Sequence, residues 1–120
     1  MEIILEGQEK ALDQLSTGMA RLKHAEQMLD DLLPLPTNAS DRQRNSVIGM
    51  REIVKHLYQQ IVFGYSLNAI TDQELADVLK KTRYRLNNQI TALEEKGIIK
   101  LVQDKPKIHQ LTNDAFVKLD

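Results

Sequence analysis

The chain has 120 residues, 42% of them apolar, with a net charge of −1 and no cysteine. That length supports one compact domain with an appendage rather than two full cores. The missing thiols exclude disulfides and thiolate metal sites and fit a cytoplasmic protein. No apolar run approaches the roughly 20 residues that span a bilayer, and the opening MEIILEGQEK carries acids where a secretory leader carries bases.

Residues 1–33 carry a heptad rhythm. Leu5, Leu12, Met19 and Leu33 share one position, with Glu26 interrupting, and Leu15, Leu22 and Leu29 fall three residues later. This predicts a long coiled-coil-like helix. Two fates are open to it: pairing with a second copy, or folding back along a stripe widened by Ala11, Ala25 and Leu32. The remaining chain offers little surface to cover so long a helix, which favours a homodimer. Gly18 in mid-helix costs about 1 kcal/mol of helix propensity and marks a close approach or a kink.

PLPTNASD ends that helix, and residues 34–44 are expected to form a linker. A second helix, capped by Asn45 or Ser46, should bury Val47, Met50, Ile53, Val54, Leu57, Tyr58 and Ile61 and stop at Gly64. YSLNAI then reads as a short extended piece. Thr71-Asp-Gln-Glu74 is a capping box, opening a short helix that ends near Lys81. Thr82 caps the next helix, which turns Leu86, Ile90 and Leu93 inward and stops at Gly97. IIKLVQ and IHQLT are expected to pair as a hairpin across DKPK, with Pro106 second in a turn starting at Lys105. A final helical turn or two, capped by Asn113, should bury Phe116 and Val117.

Charge is unevenly spread along this order. Residues 80–107 hold eight bases and three acids, a local +5, whereas residues 1–40 carry −4. With Leu86, Ile90 and Leu93 inward, Tyr84, Asn87, Asn88, Thr91 and Glu95 point outward, with Arg85 at one flank. Asparagine can pair with adenine and arginine with guanine in the major groove. Lys80, Lys81 and Arg83 cluster at the helix N-terminus, where a recognition helix enters the groove. Lys105 and Lys107 flank the hairpin tip, within reach of a neighbouring phosphate.

The order of elements, with Glu74-Leu75-Ala76, Leu79, Thr82, Leu86, Ile90, Leu93-Glu94 and Gly97-Ile98-Ile99, resembles the winged helix-turn-helix DNA-binding proteins, of the MarR-like or ArsR-like transcriptional regulators. Lys80-Lys81 stand where many members carry a glycine. The resemblance implies a mostly α fold with a two-stranded β-hairpin wing over residues 45–120. It also implies a transcriptional repressor that occupies double-stranded DNA as a dimer, with half-sites about 34 Å apart or a multiple. Two other uses of such a domain stay open: a nucleoid-associated or partition-type protein that coats DNA, and an adaptor that binds other proteins.

No enzyme motif is present. His24, His56 and His109 lack metal-ligand spacing and are expected to be surface or half-buried. Asp30-Asp31 and Glu94-Glu95 point about 100° apart on a helix and cannot act as a dyad. No phosphate-cradling glycine loop occurs, no cofactor is implied, and a small-molecule effector would leave little signature.

Overall fold

The computed structural model describes residues 2–64 and 70–120, with side chains from residue 17 onward. Helix α1 spans Glu2–Leu32, α2 Asp41–Phe63, α3 Asp72–Val78 and α4 Arg83–Glu95. Strands β1 (Ile99–Asp104) and β2 (Lys107–Leu111) form an antiparallel hairpin, and α5 (Asn113–Leu119) closes the chain. The fold is thus mostly α with one hairpin. Its topology, helices followed by a two-stranded hairpin and then a helix, is compatible with a winged helix. The expected extended piece YSLNAI lies, apart from Ile70, outside the described residues.

Short-range chemistry sets the helix ends. Thr71 and Glu74 form the expected capping box, the Thr71 hydroxyl accepting from the Glu74 amide and the Glu74 carboxylate accepting from the Thr71 amide. Thr82 caps α4 by accepting from the Arg85 amide. Beyond α4, Gly97 turns left-handed (φ 72°), and the Gly97 and Ile98 amides reach back to Glu94 and Leu93, a Schellman closure. The same closure ends α3, where the left-handed residue is Lys80 (φ 55°) and the Lys80 and Lys81 amides bond to Asp77 and Ala76. The turn that lacks the customary glycine therefore keeps the geometry that glycine serves.

Four boundaries differ from expectation, the first being the end of α3, which stops at Val78 rather than near Lys81. Helix α2 starts at Asp41, because Ser40 and Gln43 form a second capping box; neither Asn45 nor Ser46 is the cap, and the connection covers residues 33–40 alone. Thr112, not Asn113, caps α5, by accepting from the Ala115 amide. Asp104 pairs with Lys107, so Pro106 is third in the hairpin turn rather than second. Val102 is an extra residue in β1, between the Leu101–His109 and Gln103–Ile108 pairs.

One core joins every helix to the hairpin. Met50, Ile53, Val54, Leu57 and Tyr58 of α2 meet Leu75 and Ala76 of α3, Leu86, Ile90 and Leu93 of α4, and Ile98, Ile99 and Leu111 of the hairpin. Of the expected α2 stripe, Val47 is only half-buried and Ile61 is exposed. In α5, Ala115 and Leu119 are the buried pair; Phe116 packs at the edge, its ring 5.9 Å from that of Tyr58, and Val117 is exposed.

The C-terminal half of α1 belongs to this same core. Ala25, Leu29 and Leu33 are buried and Leu22 packs beside them, so three of the seam leucines face their own chain. Arg51 of α2 donates to the Leu33 carbonyl at 2.8 Å and to Asp30 at 2.9 Å, satisfying a free carbonyl at the end of α1. Lys55 pairs with Glu26 at 2.7 Å, and Gly18 lies against the Phe63 ring. Met19, by contrast, is 61% exposed. The side chains of Leu5, Leu12 and Leu15 lie outside the described residues. The radius of gyration, 16.4 Å, exceeds the roughly 13.6 Å of a compact chain this long. A 31-residue helix of about 46 Å within a molecule 58 Å in extent accounts for the excess.

Candidate nucleic-acid interface

The outward face of α4 is as its spacing predicts. Tyr84, Arg85, Asn87, Asn88 and Thr91 are exposed while Leu86, Ile90 and Leu93 are buried. Tyr84, Arg85 and Asn88 have no side-chain hydrogen bond or ion pair among the described residues. Thr91 spends its hydroxyl proton on the Asn87 carbonyl at 2.9 Å. Lys105 and Lys107 are exposed at the hairpin tip. Lys107 lines a groove of about 240 Å³ with Asn87, Ile90, Thr91 and Leu101, which Asp72, Glu94 and His109 also line, so the hairpin and the outer face of α4 share one surface of mixed charge.

The basic residues at the α3–α4 turn do not all belong to that surface. Lys80 is exposed. Lys81 folds inward: its side chain is 7% exposed, with Nζ 3.4 Å from the Gly49 carbonyl and 3.4 Å from Glu52. The Lys81 ammonium and the buried Gln89 amide both crowd Gly49, where a Cβ would meet both side chains. Gln89, which the sequence reading did not place in the core, is buried, and its Oε1 has no hydrogen-bond partner among the described residues. Arg83 is half-committed within the chain: Nε donates to Asn87 at 2.9 Å, Nη1 to Gln73 at 3.4 Å, and Nη2 lies 3.7 Å from Asp72.

Two features escaped the sequence reading. Arg42 and Arg44, expected in the linker, are exposed on the first turns of α2. Asn45 and Ile48 of the same helix line a groove of about 330 Å³ with Lys80, Thr82 and Arg85, which brings the start of α2 beside the turn. The Ser40-x-x-Gln43 spacing was the available signal. Second, His109 is buried rather than surface or half-buried, with Nδ1 2.8 Å from Asp72 and Nε2 3.1 Å from Glu94. Alternation along β2 places it inward, but its partners are distant in sequence.

Electrostatics at α4 run against helix stability. Its first turn holds Arg83 and Arg85 and no acid, facing the positive end of the helix dipole, an arrangement that costs a few tenths of a kcal/mol per charge. The same arrangement attracts an anion to the helix start. Among the described residues, no helix is long and apolar enough to cross a membrane.

No protein-family model, curated protein or solved structure matches this chain. The class is therefore carried by topology alone: a set of helices, an antiparallel hairpin and a closing helix, in an order compatible with a winged helix.

Proposed function

We infer that this chain is a winged-helix protein that binds double-stranded DNA as a dimer and acts as a transcriptional repressor by occupying its operator. One observation carries the reading: Lys107 of the hairpin lines the same groove as Asn87 and Thr91 of α4, so wing and recognition helix meet a duplex together. Arg85, Asn88 and Tyr84 supply uncommitted groups for base edges and phosphates. Lys80, Lys105 and Lys107 contact the backbone, joined by Arg42 and Arg44. Lys81 drops out of that set because its ammonium is turned inward, and Arg83 acts through Asn87 rather than as a free cation.

The dimer forms through the N-terminal half of α1. Leu29 and Leu33 are used within the chain, which leaves Leu5, Leu12, Leu15 and Met19 as the pairing stretch. One monomer offers about four to six phosphate contacts, giving weak and salt-steep binding, and a second copy doubles them.

The test is binding of the full chain to random-sequence and genomic duplexes across a salt series, beside an Arg85→Ala/Asn88→Ala variant. Steep salt dependence with selection of one or two short sites, lost in the variant, supports the repressor. Spreading along DNA would replace it with a coating protein, and no affinity at low salt would replace it with a protein adaptor.

A further inference from the structure

His109 stands on the inward face of β2, paired across the hairpin with Leu101. Both ring nitrogens face carboxylates, Asp72 Oδ1 at 2.8 Å and Glu94 Oε1 at 3.1 Å. The histidine is 5% exposed and Asp72 2%. A neutral imidazole has one N–H and can donate to only one of these oxygens, leaving a lone pair facing the other; the imidazolium donates to both. The second oxygen of Asp72 lies 3.7 Å from Arg83 Nη2, and Arg83 Nε donates to Asn87. A continuous chain of contacts thus runs from Glu94 through His109, Asp72 and Arg83 to Asn87, linking the hairpin to the exposed face of α4. The charged groups around the ring are Asp72 from α3, Glu94 from α4, Arg83 behind Asp72, and Lys107 from its own strand in the shared groove. The facing β1 residue, Leu101, is apolar.

We propose that His109 is a pH-responsive positioning residue for DNA binding. Its imidazolium clamps the hairpin to α3 and α4 and balances two carboxylates beside the phosphate-facing surface. Loss of the second ring proton breaks one of the two contacts. It also leaves Asp72 and Glu94 less compensated, which repels phosphate and draws Arg83 toward Asp72. Affinity for duplex DNA therefore falls as the second ring proton is lost with rising pH. This inference rests on the DNA-binding reading above.

The experiment is fluorescence anisotropy of the full chain on a labelled duplex at fixed salt, from about pH 5.5 to 8. It compares wild type, His109→Gln, Glu94→Gln, and a His24→Gln/His56→Gln control. Wild type and control should lose affinity on the order of tenfold across the range. His109→Gln should be flat, and Glu94→Gln, which keeps the Asp72–His109 pair, should show a shallower slope. Circular dichroism establishes that each variant is folded; should His109→Gln fail to fold, Glu94→Gln decides. Binding with the same pH slope in wild type and the deciding variant overturns the proposal and leaves the DNA-binding reading standing. Absence of binding at every pH in low salt overturns that reading and the proposal with it.

Discussion

The phenol of Tyr58, fully buried on α2, donates to the Asp120 carboxylate at 2.8 Å, and Arg21 of α1 reaches the same oxygen at 2.6 Å. Three helical segments are tied through one atom. The hydrogen bond from Tyr58 and the pairing with Arg21 hold the Asp120 carboxyl below its ordinary range. Burial, then the bond to Asp120, pushes the Tyr58 phenol up to about 12.

Both shifts make stability depend on pH, with opposite signs. A depressed carboxyl contributes stability that is present above its unfolded value, near pH 4, and is lost as pH falls through the folded one. A raised phenol contributes stability that is present below about pH 10 and is lost as pH climbs toward 12. Asp120→Asn should cost about 1 kcal/mol at neutral pH and nothing in strong acid. Tyr58→Phe should flatten the alkaline loss. Urea unfolding of each variant across pH measures both.

Gly18 answers to Phe63. A Cβ on Gly18 would fall 2.7 Å from the Phe63 ring, although alanine would otherwise gain about 1 kcal/mol in mid-helix. Gly18→Ala alone should therefore yield little or destabilise. In a Phe63→Ala background the same change should stabilise by about 1 kcal/mol. A double-mutant cycle by chemical denaturation should give a coupling of roughly 1–2 kcal/mol; zero coupling would mean the ring moves aside without cost.

Lys80 trades stability for charge. A lysine in the left-handed region carries strain that glycine avoids, so Lys80→Gly should stabilise by roughly 0.5–1 kcal/mol. The same change should lower the slope of log affinity against log salt by about 0.9. Lys81→Met should leave that slope unchanged, because the Lys81 ammonium faces Gly49 and Glu52. Equal losses of slope in both variants would show that Lys81 swings out to meet DNA.

The two halves of α1 should respond differently to mutation. Leu29→Ala removes a buried core side chain and should cost about 2–5 kcal/mol in unfolding. If the chain pairs through the N-terminal half of α1 as proposed, Leu12→Asp should convert dimer to monomer with residues 41–120 still folded. Sedimentation velocity with thermal melts separates the two, and a dimer unaffected by Leu12→Asp would place the pairing surface elsewhere.

The amino-acid sequence by itself determined what depends on near neighbours. The Thr71–Glu74 box, the Thr82 cap and the stops at Gly64 and Gly97 follow from contacts within five residues, and the division of α4 into two faces follows from its helical spacing. The start of α2 was legible too, in Ser40-x-x-Gln43, but its first turn is polar and shows no apolar period beside PLPTNASD. Tertiary structure decided what depends on the facing element. Leu29 and Leu33 fit a seam between two copies as well as they fit α2, and only the placement of Arg51, Lys55 and the core selects the latter. Lys81 points inward because Gly49 leaves room for it. His109 meets Asp72 and Glu94 across 37 and 15 residues of chain. No local pattern announces such a partner, because the electrostatic and packing gains arise only when the hairpin closes on α3 and α4.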